Sequence, residues 1–128
     1  MIELSELRLD LNRLQQKIIA FEQQDTLLIT VYENKPMQLI LLPGDEELNW
    51  KDAITWAEKQ GGVLPSRVDA LVLWQNLPGE FRKEAYWTAE QHAAYPDYAW
   101  YQGFYYGYQY YYPIYSKLRA RAVRRKPL

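Results

Sequence analysis

Residues 49–74 read NWKDAITWAEKQGGVLPSRVDALVLW. This stretch holds two helix starts and the stop between them, and its reading sets the fold class. Asn49 is an N-cap for a helix over 50–60, and Asp52 places a carboxylate in the first turn, where backbone N–H groups lack partners. Trp50, Ala53, Ile54 and Ala57 recur at three-four spacing and predict its apolar face. Gly61-Gly62 ends it. Val63-Leu64-Pro65 is extended, and Ser66 caps a second helix over 67–77 with Asp69 at its third position. Val68, Leu71, Val72 and Gln75 trace the expected inward side, and Pro78-Gly79 closes the helix. From Ala85 onward the apolar period changes to two. Strands are predicted over 86–89, 98–104, 109–114 and 117–125, with Gly107 in a turn where a positive φ is free of steric cost. Two helical periods thus precede a run of short strand periods along this part of the chain.

Two further strands are predicted before the helices, over 26–32 and 37–42, joined by a turn at Glu33-Asn34-Lys35-Pro36 and ended by Pro43-Gly44-Asp45. The first 24 residues read as a separate helix. Leu4, Leu7, Leu11, Leu14, Ile18 and Phe21 keep strict three-four spacing, the a/d seam of a coiled coil over about three heptads. Glu3 with Arg8, and Lys17 with Glu22, have the spacing of interhelical ion pairs. The expectation is an oligomerisation segment over 1–24, hence a homo-oligomer, and a binding domain over 25–128. The alternative is an amphipathic helix folded back on its own domain.

Of the twelve tyrosines, all but Tyr32 and Tyr86 lie in YPDYAWYQGFYYGYQYYYPIY, residues 95–115. Each buried phenol needs a hydrogen-bond partner, so a core cannot absorb so many, and some rings must face solvent. Tyrosine-dense surfaces give large contact area with few rotatable bonds and a polar tip, as binding loops do. Alternation along the strands sends about half the rings outward. The expected ligand-binding rings are Tyr95, Tyr101, Tyr105, Tyr106, Tyr108, Tyr110 and Tyr112. Trp50, Trp56, Trp74, Trp87 and Trp100 are expected to be mostly core, with Tyr86 and Phe104. The competing reading packs the tyrosine-rich sheet against the N-terminal helix or a neighbouring subunit.

Several chemistries find no support. With no cysteine there is no disulfide framework, thiol nucleophile or zinc-thiolate set. His92 is the one histidine; it has no nucleophile motif nearby and reads as solvated surface. Glu80, Glu84, Glu90 and Asp97 contain the makings of a glycosidase pair, but spacing alone does not bring two of them together. No metal, cofactor or catalytic residue is expected, and the protein is read as not an enzyme. No apolar run approaches the roughly 20 residues that cross a bilayer, so no membrane role is expected. The formal net charge is −1, yet no acid follows Asp97, whereas Lys117, Arg119, Arg121, Arg124, Arg125 and Lys126 do. Cations beside aromatics suit single-stranded nucleic acid. The plainer expectation is that the arginines pair with carboxylates such as Glu80, Glu84 and Glu90.

The segments NWKDAITWAEKQGGVLPSRVDALVLW, AYWTAE, YAWYQGF and LRARAVRR, in this order over roughly 41–125, resemble a family of small phage and prophage proteins. That family is related to the C-type-lectin fold, including the variable proteins of diversity-generating retroelements and the formylglycine-generating-enzyme group. The resemblance implies a compact α+β, C-type-lectin-like domain, with two helices on a small, irregular antiparallel sheet. The segment between the Ala99-Trp100 strand and the last strand would form the ligand-facing surface, which is where the tyrosines lie. The chain lacks the cysteines of formylglycine-generating enzymes and the Glu-Pro-Asn, Gln-Pro-Asp and Trp-Asn-Asp signatures of calcium-dependent lectins. Those activities do not carry over.

The expectation drawn from residues and resemblance together is a phage or prophage binding protein. It presents a tyrosine-rich surface to a protein or glycan, as a tail-associated receptor binder does. One rival is a small inhibitor of a host defence protein; another is a single-stranded nucleic-acid binder using the tyrosine and arginine strands. The expected location is the host cytoplasm on expression, with the virion as the alternative.

Overall fold

The computed structural model describes Arg8, residues 11–13 and residues 27–128. Arg8 and residues 11–13 are helical, and Leu11 is exposed. The rest of the expected seam (Leu4, Leu7, Leu14, Ile18 and Phe21) lies outside the described residues, and so does the oligomerisation it implies.

The domain from Leu27 onward is α+β. β1 (Leu28–Tyr32) and β2 (Lys35–Leu41) form a hairpin closed by Glu33 and Asn34, at φ 51° and 63°. Two consecutive left-handed residues twist as the flanking strands do, so the turn needs only two residues, and Lys35 and Pro36 join β2. β3 (Glu46–Leu48) is a short strand with no signal in the sequence reading. The helices α1 (Trp50–Lys59) and α2 (Arg67–Asn76) start where their caps predict. The Asn49 side chain accepts the Asp52 N–H, and Ser66 and Asp69 form a reciprocal capping box. β4 (Ala85–Gln91), β5 (Tyr98–Gly103), β6 (Gln109–Pro113), β7 (Leu118–Ala120) and β8 (Val123–Pro127) follow.

The strands build two sheets where a single sheet was expected. One has the order β1-β2-β8, the other β3-β7-β4-β5-β6. Every pairing is antiparallel except that of β4 with β7. The predicted strand over 117–125 is therefore two strands, one in each sheet. Arg121 and Ala122 make the crossing, and both are buried. The Arg121 guanidinium donates to the carbonyls of Glu80 (2.6 Å) and Leu42 (2.8 Å), and the Leu42 N–H donates to the Ala122 carbonyl. Alternation along a sequence does not register this: the inward parity passes from Ala120 in β7 to Val123 in β8, across a crossing at which both residues are buried.

Two clusters fill the interior. Trp50, Ala53 and Ala57 of α1 pack with Trp87, Ala99, Ile114, Ala120 and Ala122. Leu73 of α2 packs with Leu28, Leu39, Phe81, Tyr86, Phe104 and Val123. Adjacent residues of β4, Tyr86 and Trp87, thus serve opposite faces, as strand geometry requires. The indole N–H groups are satisfied on the way: Trp50 donates to the Thr88 carbonyl and Trp87 to that of Leu48, each at 2.9 Å.

α2 faces inward differently from expectation. Asp69, Ala70 and Leu73 are its buried residues, while Val68, Leu71 and Gln75 are exposed and Val72 is half-buried. The reason is electrostatic. Asp69 has no exposed surface, and its oxygens accept from the Thr30 hydroxyl (2.5 Å), the Ser66 N–H (2.9 Å) and the Arg125 guanidinium (2.5 Å). A buried ionic network sets the helix rotation, and a hydrophobicity pattern does not register it.

The arginines find other partners than Glu80, Glu84 and Glu90. Arg119 pairs with Asp45 at 2.7 Å and Arg125 with Asp69 at 2.5 Å. Arg124 donates to the Gly61 carbonyl. In no case does an arginine from 119 to 125 reach the carboxylate of Glu80, Glu84 or Glu90 among the described residues; Glu80 serves through its main-chain oxygen.

Candidate functional site

The outer part of the larger sheet carries the tyrosines, and three anchors hold it in place. The first is the turn between β5 and β6. Phe104 lies in the core, stacked on Phe81 at 3.9 Å between ring centroids. Gly107, at φ 82°, rests against the Trp74 indole so closely that a Cβ would collide with it. With both sides pinned, Tyr105 and Tyr106 are left on the outside, and Tyr106 is 76% exposed. Their rings meet edge to face at 4.3 Å.

The second anchor is Arg67, the first residue of α2. Its N–H donates to the Glu90 carboxylate (2.6 Å), its Nε to the Gln109 Oε1 (3.0 Å), and its guanidinium lies 3.7 Å over the Trp100 ring. Gln109 answers by donating to the Arg67 carbonyl (2.8 Å) and to Gln102 (2.9 Å). The third anchor is the irregular register of β4 on β5 between Trp87 and Gln91. There the Thr88 hydroxyl donates to the Trp100 carbonyl, and the Ala89 N–H donates to the Pro65 carbonyl. This bulge turns the end of β4 toward the start of α2.

Strand register then divides the aromatic residues between two faces. Tyr98 and Trp100 of β5 share a face with Tyr111 of β6. Tyr95 and His92, from the β4–β5 connection, pack onto that face. His92 stacks on Trp100 at 5.3 Å and meets Tyr111 at 4.5 Å and Tyr95 at 4.8 Å. Its Nδ1 accepts the N–H groups of Ala94 and Tyr95, which assigns the proton of the neutral ring to Nε2. The solvated histidine expected from its loop-like setting is instead half-buried in an aromatic cluster.

The opposite face carries Tyr101 of β5 with Tyr108 and Tyr112. Tyr101 meets both edge to face, at 6.1 and 6.4 Å. Tyr101, expected outward, is half-buried and packs against the α1 cluster, because its cross-strand neighbour on β4 is the buried Trp87. Burial and then its hydrogen bond with Tyr108 push the Tyr101 phenol up to about 12. Tyr110 departs from strict alternation. Its ring stacks on that of Tyr111 at 4.4 Å and 16°, so it reaches around the outer strand. The hydrogen bond with Tyr110 raises the Tyr111 pKa.

Of the seven expected rings, Tyr95, Tyr105, Tyr106, Tyr108, Tyr110 and Tyr112 are exposed. They do not share one plane: Tyr95 lies on one face, Tyr108 and Tyr112 on the other, and Tyr105 and Tyr106 at the turn. Tyr115, 75% exposed, was missed. Its signal was the buried Ile114 immediately before it. Arg67, Gln102 and Gln109 were also missed, and no local pattern marks such a clamp.

Among the described residues no three histidine or carboxylate side chains group as metal ligands, and no helix is long and apolar enough to cross a membrane. The arrangement is a small domain with exposed tyrosine clusters, suited to contact by ring stacking and phenol hydrogen bonds. No protein-family model matches the chain, and no curated protein is significantly similar to it.

Proposed function

We propose that this is a non-enzymatic binding protein of phage or prophage origin, with a lectin-like scaffold whose working part is the tyrosine field around β5 and β6. The ligand is a protein or glycan, gripped as a tail-associated receptor binder grips its receptor. One observation carries the reading: five exposed tyrosines, Tyr105, Tyr106, Tyr108, Tyr110 and Tyr112, lie on a single outer strand and the turn before it, with Tyr95 beside them, while the clamp of Arg67, Gln102 and Gln109 ties that strand to the fold. Rigid aromatic anchors lose little entropy on binding. The arginine strands give less support to a nucleic-acid role, since Arg119, Arg121 and Arg125 are occupied within the fold.

Tyr106, Tyr108 and Tyr110 should be changed singly to Ser and probed with a glycan array and a displayed peptide library. Each variant is expected to keep its stability within about 0.5 kcal/mol. Capture should fall by roughly 30-fold, the loss of a hot spot of about 2 kcal/mol. If all three unfold, the rings are core. If all three fold and capture as before, the binding surface lies elsewhere. Presence of the protein in purified virions accords with the tail assignment; recovery of a cytosolic host protein in its place turns the reading to a host-defence inhibitor.

A further inference from the structure

The exposed tyrosines straddle a sheet edge on which no further strand pairs among the described residues. β6 is the last strand of β3-β7-β4-β5-β6. The Gly103 N–H donates to the Tyr108 carbonyl (2.8 Å), and the Ile114 N–H to that of Asp97 (2.9 Å). Hydrogen-bonded pairs alternate along an antiparallel ladder, so Tyr110 and Tyr112 direct their main-chain groups inward, to Tyr101 and Ala99. Gln109 and Tyr111 then direct theirs outward, away from the sheet. Open edges are usually blunted by charged side chains, a covering segment or proline. This one reads Gln109-Tyr110-Tyr111-Tyr112-Pro113, without a charge and with proline only at its last residue, so Gln109 and Tyr111 keep their outward N–H groups.

From these observations we infer that the ligand of the tyrosine field is an uncharged, extended segment of a partner protein, which adds to β6 as a sixth strand. The inference rests on the binding reading above and narrows it from protein or glycan to polypeptide. A flat partner reaches only one face of the sheet. An added strand sends alternate side chains to both, beside Tyr111 and Tyr95 on one and beside Tyr108 and Tyr112 on the other. Its main chain meets the outward groups of Gln109 and Tyr111, which a glycan does not match in register. Tyr110, now stacked on Tyr111 around the edge, swings back to its own face as the strand enters. A second copy of this chain is the poorer fit. Two-fold pairing of β6 centred on Tyr110 sets Tyr105 and Tyr106 of each copy against the Pro113–Ser116 turn of the other, where neither chain is extended. A bare peptide brings no such turns.

The test begins with selection of random linear peptides displayed against the full-length protein. The selected peptide is then resynthesised with N-methyl groups at alternate residues, in each of the two registers. Main-chain pairing predicts that one register abolishes binding and the other is tolerated. The amides of Gln109 and Tyr111 should exchange their hydrogens about tenfold more slowly in the complex. If both registers bind alike and these amides stay unprotected, while Tyr108→Ser still weakens capture, the strand inference falls and the tyrosine surface stands. If no tyrosine change alters capture, both fall. A selection that yields no peptide, or amides that become protected with protein concentration alone, also overturns the inference; the second result assigns the edge to self-pairing.

Discussion

Asp69 is enclosed by Thr30, Ser66 and Arg125, and it joins β1, α2 and β8 at one point. Removing its charge leaves the Arg125 side chain, only 11% exposed, without a counter-ion. Asp69→Asn is therefore expected to cost about 3–5 kcal/mol in urea unfolding, whereas Asp69→Leu with Arg125→Met should cost less than the sum of the two single changes. Strict additivity would show that the pair does not act as a unit. Tyrosine ionisation gives a second handle. Tyr86 and Tyr101 are both pushed up to about 12, Tyr86 by burial and then by the Asp45 that accepts its hydroxyl. In the unfolded chain such phenols ionise near about 10. Between those values the unfolded state releases protons that the folded state retains. Their stabilisation is complete below about pH 10 and is lost as pH rises toward 12. Stability measured by circular dichroism against pH should fall over that window, and Tyr86→Phe and Tyr101→Phe should each flatten the fall. Unchanged slopes in both variants would refute the assignment.

The β5–β6 hairpin depends on Gly107 more than on any of its tyrosines. A side chain there meets two penalties: the left-handed backbone, about 1–2 kcal/mol for an L-residue, and the Trp74 indole, which has to move. Gly107→Ala should lower the melting temperature and change the Trp74 fluorescence together. A melt lowered with the indole signal untouched would mean that backbone strain acts alone. The same hairpin explains why one surface became two faces. Tyr101, Tyr108 and Tyr112 share one face, Tyr98 and Tyr111 the other, and the edge strand β6 borders both.

For the molecule as a whole, the two sheets are joined by the crossing at Arg121 and Ala122, so the small sheet cannot part from the large one without exposing a guanidinium held by two carbonyls. The N-terminal seam adds a question of assembly. Three heptads of Leu4, Leu7, Leu11, Leu14, Ile18 and Phe21 predict that residues 1–24 set the oligomeric state. Light scattering should give the full chain a higher multiple of its 15.3 kDa mass than a chain beginning at Asp25. Equal multiples would remove the coiled coil from consideration.

Caps and turns were legible in the residues, because their interactions close within a few positions. Asn49 reaches Asp52, Ser66 reaches Asp69, and Gly107 turns the chain where it stands. The need for exposed tyrosine was legible too, since the number of phenols alone exceeds what a core can satisfy. The arginine partners were not. Arg125 meets Asp69 across 56 positions and Arg119 meets Asp45 across 74, and no local pattern encodes a contact of that range. The rotation of α2, the division of the last strand and the half-burial of Tyr101 all follow from such long-range pairings. A sequence period records that a side chain is apolar and on which parity it falls. Which neighbour it meets there is set only when distant strands come into register.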